Sequence, residues 1–328
     1  IVAFAQHLPE YVPGWGHLGQ RRGQFAALQE RLREAAPVVA VDLAASLQEC
    51  ELPRETMTEA GLEFIRRRVG EEVYYFIANQ TAESYDGWLA LARPVTAATL
   101  FDPMTGESGQ LAVRHGNHRT KIYLQIAPGE SRIVRLSPIP VSSGKPWTSL
   151  VPSGKPLLLD QPWQVEFVQG EPAHPASYQI ARLASWTEAP DQEAQRFAGT
   201  ACYKTNFDLP ESAQADDWLL DLGEVRESAR VRINGQEAGV LIALPMRLRI
   251  GQYVHPGKNT LAIEVTNLSA NRLRDLARRG TDWKIMKDIN IVTVHYQKIE
   301  PANWPLEPSG LLGPVRLLPM AKLEHDAQ

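Results

Sequence analysis

Cysteine is almost absent from this sequence: Cys50 and Cys202 are the only two among 328 residues. Two cysteines exclude a disulfide framework and a cysteine-ligated zinc site, and their positions alone do not decide whether they pair. Long apolar runs are missing as well. None approaches the roughly 20 residues that a membrane-spanning helix requires, so a soluble chain is expected. No sign of charge dominates: 34 Lys and Arg stand against 38 Asp and Glu, a formal net of -4. Without a long basic block there is no electrostatic reason to expect nucleic acid or a membrane surface as partner. Wholesale disorder is excluded in turn, because 44% of the residues are hydrophobic and only 22% are charged, enough apolar material for two or three cores.

Several chemical signatures are also lacking. No GxGxxG stands between a strand and a helix, and no Walker lysine follows Gly14, Gly19 or Gly23, so a nucleotide site is not expected. The GxSxG elbow of a serine hydrolase is absent, and a tight turn accounts for Ser309-Gly310. His115 and His118 lie three apart in HGNH but have no HExxH context or third ligand, so they read as solvated turn histidines. His174 beside two prolines and His255 at a Pro-Gly turn read the same way. Cys202, set among alternating core residues in CYKTNF, reads as a buried structural thiol. The chain opens at Ile1 on IVAFA with neither an initiator Met nor a signal-peptide core, as expected of a processed product or an excised part of something longer.

What is present is mostly strand. Residues 1–54 alternate apolar runs (IVAF, VVAV) with helical patterns (GQFAALQERLREAA, LAASLQE), and Phe25, Leu28 and Leu32 form a stripe able to cover a sheet. This length is too short for a doubly wound domain, so it is expected to be a partial α/β (Rossmann-like) remnant. Residues 55–140 carry short runs rich in β-branched and aromatic residues, broken by Gly, Pro, Asn and Asp, and predict an antiparallel β-sandwich. In TKIYLQIAPGESRIVRL, Ile122, Leu124 and Ile126 share one side; APGE turns the chain, and Ile133 and Leu136 are expected to resume the core. A connector at 141–160 follows, with SGKP spelled twice. Pro138, Pro140, Pro146 and Pro152 favour an extended tether, while Trp147, Leu150 and Val151 equally fit a strap against a neighbour.

Residues 161–320 give the clearest pattern, that of a jelly-roll β-sandwich, followed by a polar tail at 321–328. Val231 and Ile233 alternate with Arg230 and Arg232 up to an Asn234-Gly235 hairpin turn, after which Gly239 relieves crowding. Pro256-Gly257 turns the chain into a strand whose Leu261, Ile263 and Val265 point inward. The fold class is therefore mainly β: two antiparallel sandwiches after a short α/β remnant.

The densest polar and aromatic segment is DLARRGTDWKIMKD. Asp275, Asp282 and Asp288 surround Trp283, joined by Arg272, Arg274, Arg278 and Arg279. Two readings stand side by side. An ion-paired loop can cap the sandwich, or Trp283 and Trp304 can stack on a sugar while Asp and Arg serve its hydroxyls, or dock a neighbouring domain. A glycosidase needs two opposed carboxylates, and no eight-fold strand-helix barrel is present here to converge them.

The chain resembles the end of the glycoside hydrolase family 106 α-L-rhamnosidases. The resemblance is carried by WQVEFV, SWTE, FAGTACYKTNFDLP, LLDLGEVRESARVRINGQEAGV, PGKNTLAIEVTNLSANRLRDLARRGTDWK and PSGLLGPVRLLP. LDLG, VRING and GKNTLAIEV are shared with the galactose-binding-like sandwich of family 2 glycosidases; ANRLRDL, DINIVTVHY and SGLLGPVRL narrow the match. GLEFIRRR, EVYYFIANQT, LFDPMTGE and APGESRIVRL are similar to the β region after the catalytic domain. The resemblance implies an inverting exo-rhamnosidase whose two glutamates and calcium ion lie in a barrel upstream. No part of this sequence matches that barrel, so no catalytic, cofactor or metal residue is carried over, and the chain is expected to be a supporting region of such an enzyme, with an autonomous carbohydrate-binding module as the runner-up and a complete small glycosidase with an internal carboxylate pair as the third reading. The implied partners are that barrel and, through the whole enzyme, a rhamnose-containing glycan; the implied location is secreted or periplasmic, with the cytoplasm left open. Ile242 stands where an aromatic residue is expected in much of the superfamily, which weakens sugar stacking at that edge.

Overall fold

The computed structural model describes residues 3–5, 10–12, 14, 16–35, 38–40, 42, 54–94, 96–116, 119–140, 144–284 and 299–324. The predicted LAASLQE helix, the INIVTVHY strand, Trp15, Cys50, His118 and Asp288 lie outside them.

Strand β1 (Ala3–Ala5) pairs in parallel with β2 (Val38–Ala40) across helix α1 (Leu18–Glu34). This is the expected α/β unit, but the helix begins five residues before the predicted GQFAALQERLREAA. The apolar stripe finds little to cover. Two three-residue strands make a narrow sheet, and no residue of α1 is buried. Leu28 is 48% exposed.

The next unit contains β3 (Leu62–Val69), β4 (Glu72–Asn79), β5 (Tyr85–Leu91), β6 (Ala97–Phe101), β7 (Ser108–Gln110), β8 (Val113–Gly116), β9 (Arg119–Ile126) and β10 (Ser131–Ser137). All pairings are antiparallel, in sheets of order β3-β4-β10-β6-β7 and β5-β9-β8. The APGE segment joins β9 to β10 across these two sheets. Its reversal is closed by the Ala127 N–H donating to Glu130 Oε2 at 2.8 Å, with Gly129 at φ 81°. Ile122, Leu124 and Ile126 are buried as expected. On β10 the inward residues are Val134 and Leu136, not Ile133, because a period of two cannot send residues three apart to the same face.

Glu55 anchors this unit. The Tyr75 hydroxyl (2.6 Å) and Arg66 Nη1 (2.9 Å) donate to its Oε1, and the Ala92 N–H donates to Oε2 (2.9 Å). A carboxylate this buried is tolerated because every approach to it brings a donor.

The chain then forms β11 (Leu150–Pro152), β12 (Leu157–Leu158), β13 (Trp163–Glu171), β14 (Tyr178–Ile180), β15 (Ala198–Leu209), β16 (Asp217–Asp221), β17 (Glu224–Arg226), β18 (Ser228–Ile233), β19 (Gln236–Leu241), β20 (Arg247–Arg249), β21 (Gly257–Thr266), helix α2 (Ala270–Arg278), β22 (Gly310–Gly313) and β23 (Arg316–Lys322). One sheet runs β14-β13-β15-β21-β18-β19; the facing one runs β11-β23-β16-β20, with β12 also on β23, and β17 pairs β22. Val231, Ile233, Leu261, Ile263 and Val265 are all buried between them. Asn234 and Gly235, at φ 51° and 79°, make the two-residue hairpin turn in the twist-matched form that Asn-Gly favours. Part of the connector is a strap. Leu150–Pro152 and Leu157–Leu158 pair with β23, and Trp147 packs against the core of the preceding sandwich.

Candidate functional site

Helix α2 follows β21 through Asn267 and lies over the end of the sandwich. Two polar systems hold it. In the first, Asp275 accepts from Arg272 Nη1 (3.0 Å) and Arg279 Nε (2.8 Å), and the Arg196 guanidinium stands 3.7 Å away. Burial pushes the Asp275 carboxyl up, but Arg279, Arg196 and Arg272 outweigh it and hold it below the usual carboxylate range. Asp275 is therefore a fixed anion, unsuited to carrying a proton at neutral pH. In the second system Asn271, buried, donates to the Glu307 carbonyl (2.8 Å) and accepts from the Glu307 N–H (2.9 Å). Asn267 donates to Ser309 Oγ (3.1 Å), and the Ser309 N–H donates to Ser185 Oγ (2.9 Å). Helix, 185–188 turn and β22 are thereby tied together.

The residues expected to form a site divide between these roles. Arg272 and Asp275 belong to the ion-paired cap. Arg274 Nε donates to the Trp304 carbonyl (2.9 Å) and Arg278 Nε to that of Ala302 (3.0 Å), which clamps the 301–304 turn onto α2. Asp282 and Trp283 line a separate cavity of about 440 Å³ with Lys284 and Pro301–Asn303, and Lys284 Nζ lies 5.7 Å from the Trp283 ring centre. Neither Arg272, Asp275 nor Trp304 reaches that cavity. Asp288 lies outside the described residues. Arg196, Ser185, Asn267 and Asn271 were not singled out from the sequence. The Ser-x-x-Glu word in SWTE was the available signal: Ser185 caps its short turn by accepting from the Thr187 N–H at 3.2 Å.

Cys202 is buried, but the expected surroundings are corrected. Along β15 the core takes Ala201, Tyr203, Thr205 and Phe207, which leaves Cys202 on the opposite face beneath the Lys204–Glu166 and Arg232–Glu264 ion pairs. Burial pushes its thiol up, away from the reactive thiolate. His115, His174 and His255 are exposed, and among the described residues no group of three or more His, Cys, Asp or Glu is placed to hold a metal ion. Ile242 is 72% exposed.

No family model matches the sequence. A Formosa agariphila protein named "Putative beta-glucuronidase" is 32% identical over 225 residues, covering 61% of this chain and 19% of its own length. The structure of a rhamnosidase from Novosphingobium sp. PP1Y superimposes with a TM-score of 0.65 at 27% identity, over 86% of this chain and 26% of that one. A beta-glucuronidase of an uncultured Clostridium sp. reaches a TM-score of only 0.37 at 18% identity, over 53% of this chain and 31% of its own. The chain thus spans about a fifth of the curated relative and about a quarter of the rhamnosidase chain. It is a β-sandwich assembly structurally related to part of a much larger protein.

Proposed function

We propose that this chain is the non-catalytic C-terminal β region of an α-L-rhamnosidase-like glycoside hydrolase, supporting a catalytic barrel and giving the α2 end, with Asp282 and Trp283, as one wall of the sugar cleft. The observation that carries this reading is the superposition on 86% of this chain but only 26% of the rhamnosidase. Two features of the surface support it. Helix α1 buries none of its residues. On the outer face of the five-stranded sheet, Ile65, Phe76, Ile133 and Phe101 stand in register across four adjacent strands, with Ile65 62% and Phe76 42% exposed. Apolar surface of this kind is suited to lasting contact with another domain.

The reading of the chain as a complete small glycosidase is weaker. The cleft between the two sandwiches carries Asp86, Asp102, Glu107 and Glu130, but three of the four are engaged. Asp86 accepts from Tyr123 and Gln125, Asp102 from the Met104 N–H, and Glu130 from Ala127 and Arg132. Glu107 then has no free carboxylate opposite it. The purified chain is accordingly expected to release no rhamnose from aryl α-L-rhamnosides. Turnover that disappears on substituting one internal carboxylate would overturn the proposal.

A further inference from the structure

The cleft just named lies between the two sandwiches and encloses about 520 Å³, within the range of small-ligand sites. Its walls are fixed from both sides. Gln125 at the end of β9 donates through Nε2 to the Leu150 carbonyl (2.9 Å) and accepts from the Leu150 N–H (3.1 Å), standing in for a strand. Met104, from the β6–β7 turn, packs against the core of the following sandwich.

The floor is apolar: Leu219 on β16 and Leu318 on β23 are register partners on the face turned away from the core. Around it the positive charges are already matched. Arg132 pairs with Glu130 (3.1 Å) and Asp102 (3.7 Å), Arg247 with Asp221 (2.9 Å) and Arg249 with Asp217 (2.7 Å). The side chains that make no hydrogen bond within the protein, among the described residues, include Tyr85, Thr148, Gln252 and Tyr253, all lining the cleft and all neutral. Burial, then the Asp86 carboxylate, pushes the Tyr85 phenol up, so it remains a protonated donor. The uncommitted Glu107 adds a negative charge to the rim.

An apolar floor beneath a ring of unpaired hydroxyls and an amide, with Arg132, Arg247 and Arg249 each ion-paired to a carboxylate and the Arg132 Nε–H left as a further donor, matches a pyranose: a C–H face to cover and hydroxyls to bond. An anion would meet Glu107 and no free cation. We propose that the cleft between the sandwiches is a binding site for a neutral sugar, separate from the Trp283 cavity. The site rests on the cleft's own geometry; the reading of the chain as part of a glycoside hydrolase serves only to choose probes.

The test is calorimetric titration of the full chain with the methyl glycosides of L-rhamnose, D-glucose and D-galactose, and with D-glucuronate as the charged counterpart. Saturable binding of at least one neutral glycoside in the millimolar range is expected, with glucuronate at least about tenfold weaker. The double variant Y85F/Y253F, which removes two hydroxyls and little volume, is expected to weaken binding about tenfold. Gln252→Trp, which fills the cleft from an exposed position, is expected to abolish it. The proposal fails if no neutral glycoside saturates, if glucuronate binds as tightly, or if Gln252→Trp spares binding. Rhamnose release is a separate readout, so failure of the cleft and failure of the supporting role are told apart.

Discussion

Glu55 and Asp275 show opposite uses of a partly or fully buried carboxylate. Glu55 holds three elements together, taking donors from β3, β4 and the end of β5. Glu55→Gln keeps the shape but brings an amide N–H₂ against donors, and is expected to destabilise the chain by about 1–3 kcal/mol, read as a lowered urea midpoint at unchanged slope. Asp275 serves electrostatics more than architecture. Its folded pKa lies below the ordinary 3.8, so the native state binds fewer protons than the unfolded state in that window. Its stabilisation is fully present above the unfolded value and is lost as pH falls through the folded one. Comparison of the wild type with Asp275→Asn across roughly pH 6 to pH 3 should show the two stability curves converging at the acid end; a constant offset would mean that the arginines contribute nothing through charge.

At the scale of elements, the strands were legible wherever alternation met a turn of fixed chemistry. EVYYFIAN, RTKIYLQI and SRIVRLS coincide with β4, β9 and β10, because period two and Gly- or Asn-bearing turns are local properties. Two things were not local. Which of Ile133 and Val134 shares the inward face with Leu136 turns on the sheet that covers β10, and β9 and β10 lie in different sheets, so the side that Ile122, Leu124 and Ile126 take does not carry over; spacing of two then puts Val134 with Leu136. The outward facing of Cys202 was hidden because Ala201, Cys202 and Tyr203 are consecutive apolar residues, only two of which can face the core. Gly310 in the SGLLG word illustrates a signal whose cause appears only in three dimensions. At φ 102° it starts β22 against the aromatic core, and a Cβ there would lie 2.2 Å from the Tyr203 hydroxyl and 2.8 Å from the Trp186 ring. Gly310→Ala is therefore expected to cost more than the 1–3 kcal/mol typical of a strained conformation alone, seen as a large drop in Tm; a near-neutral result would show that β22 shifts freely.

At the scale of the molecule, the α2 segment was visible in the sequence as a dense polar stretch, but its division into an ion-paired cap and a separate Trp283 cavity depends on Arg196 and the 301–304 turn, far away in sequence. The cleft between the sandwiches was not legible at all, since its walls come from seven separate stretches of chain, around residues 84–86, 102–107, 125–132, 147–152, 219, 238–253 and 318–320. The same dispersal makes it a test of coupling. The two hydrophobic cores share no residue, and among the contacts joining the units are the Gln125–Leu150 pair, Met104, and Gly129 against Leu244. Cores joined in this way unfold together only while the joining contacts exceed the stability difference between them. Removal of the two side-chain links in Gln125→Ala/Met104→Ala is expected to resolve thermal unfolding into two calorimetric transitions. A single unshifted transition would show that the strap along β23, rather than the cleft walls, holds the sandwiches together.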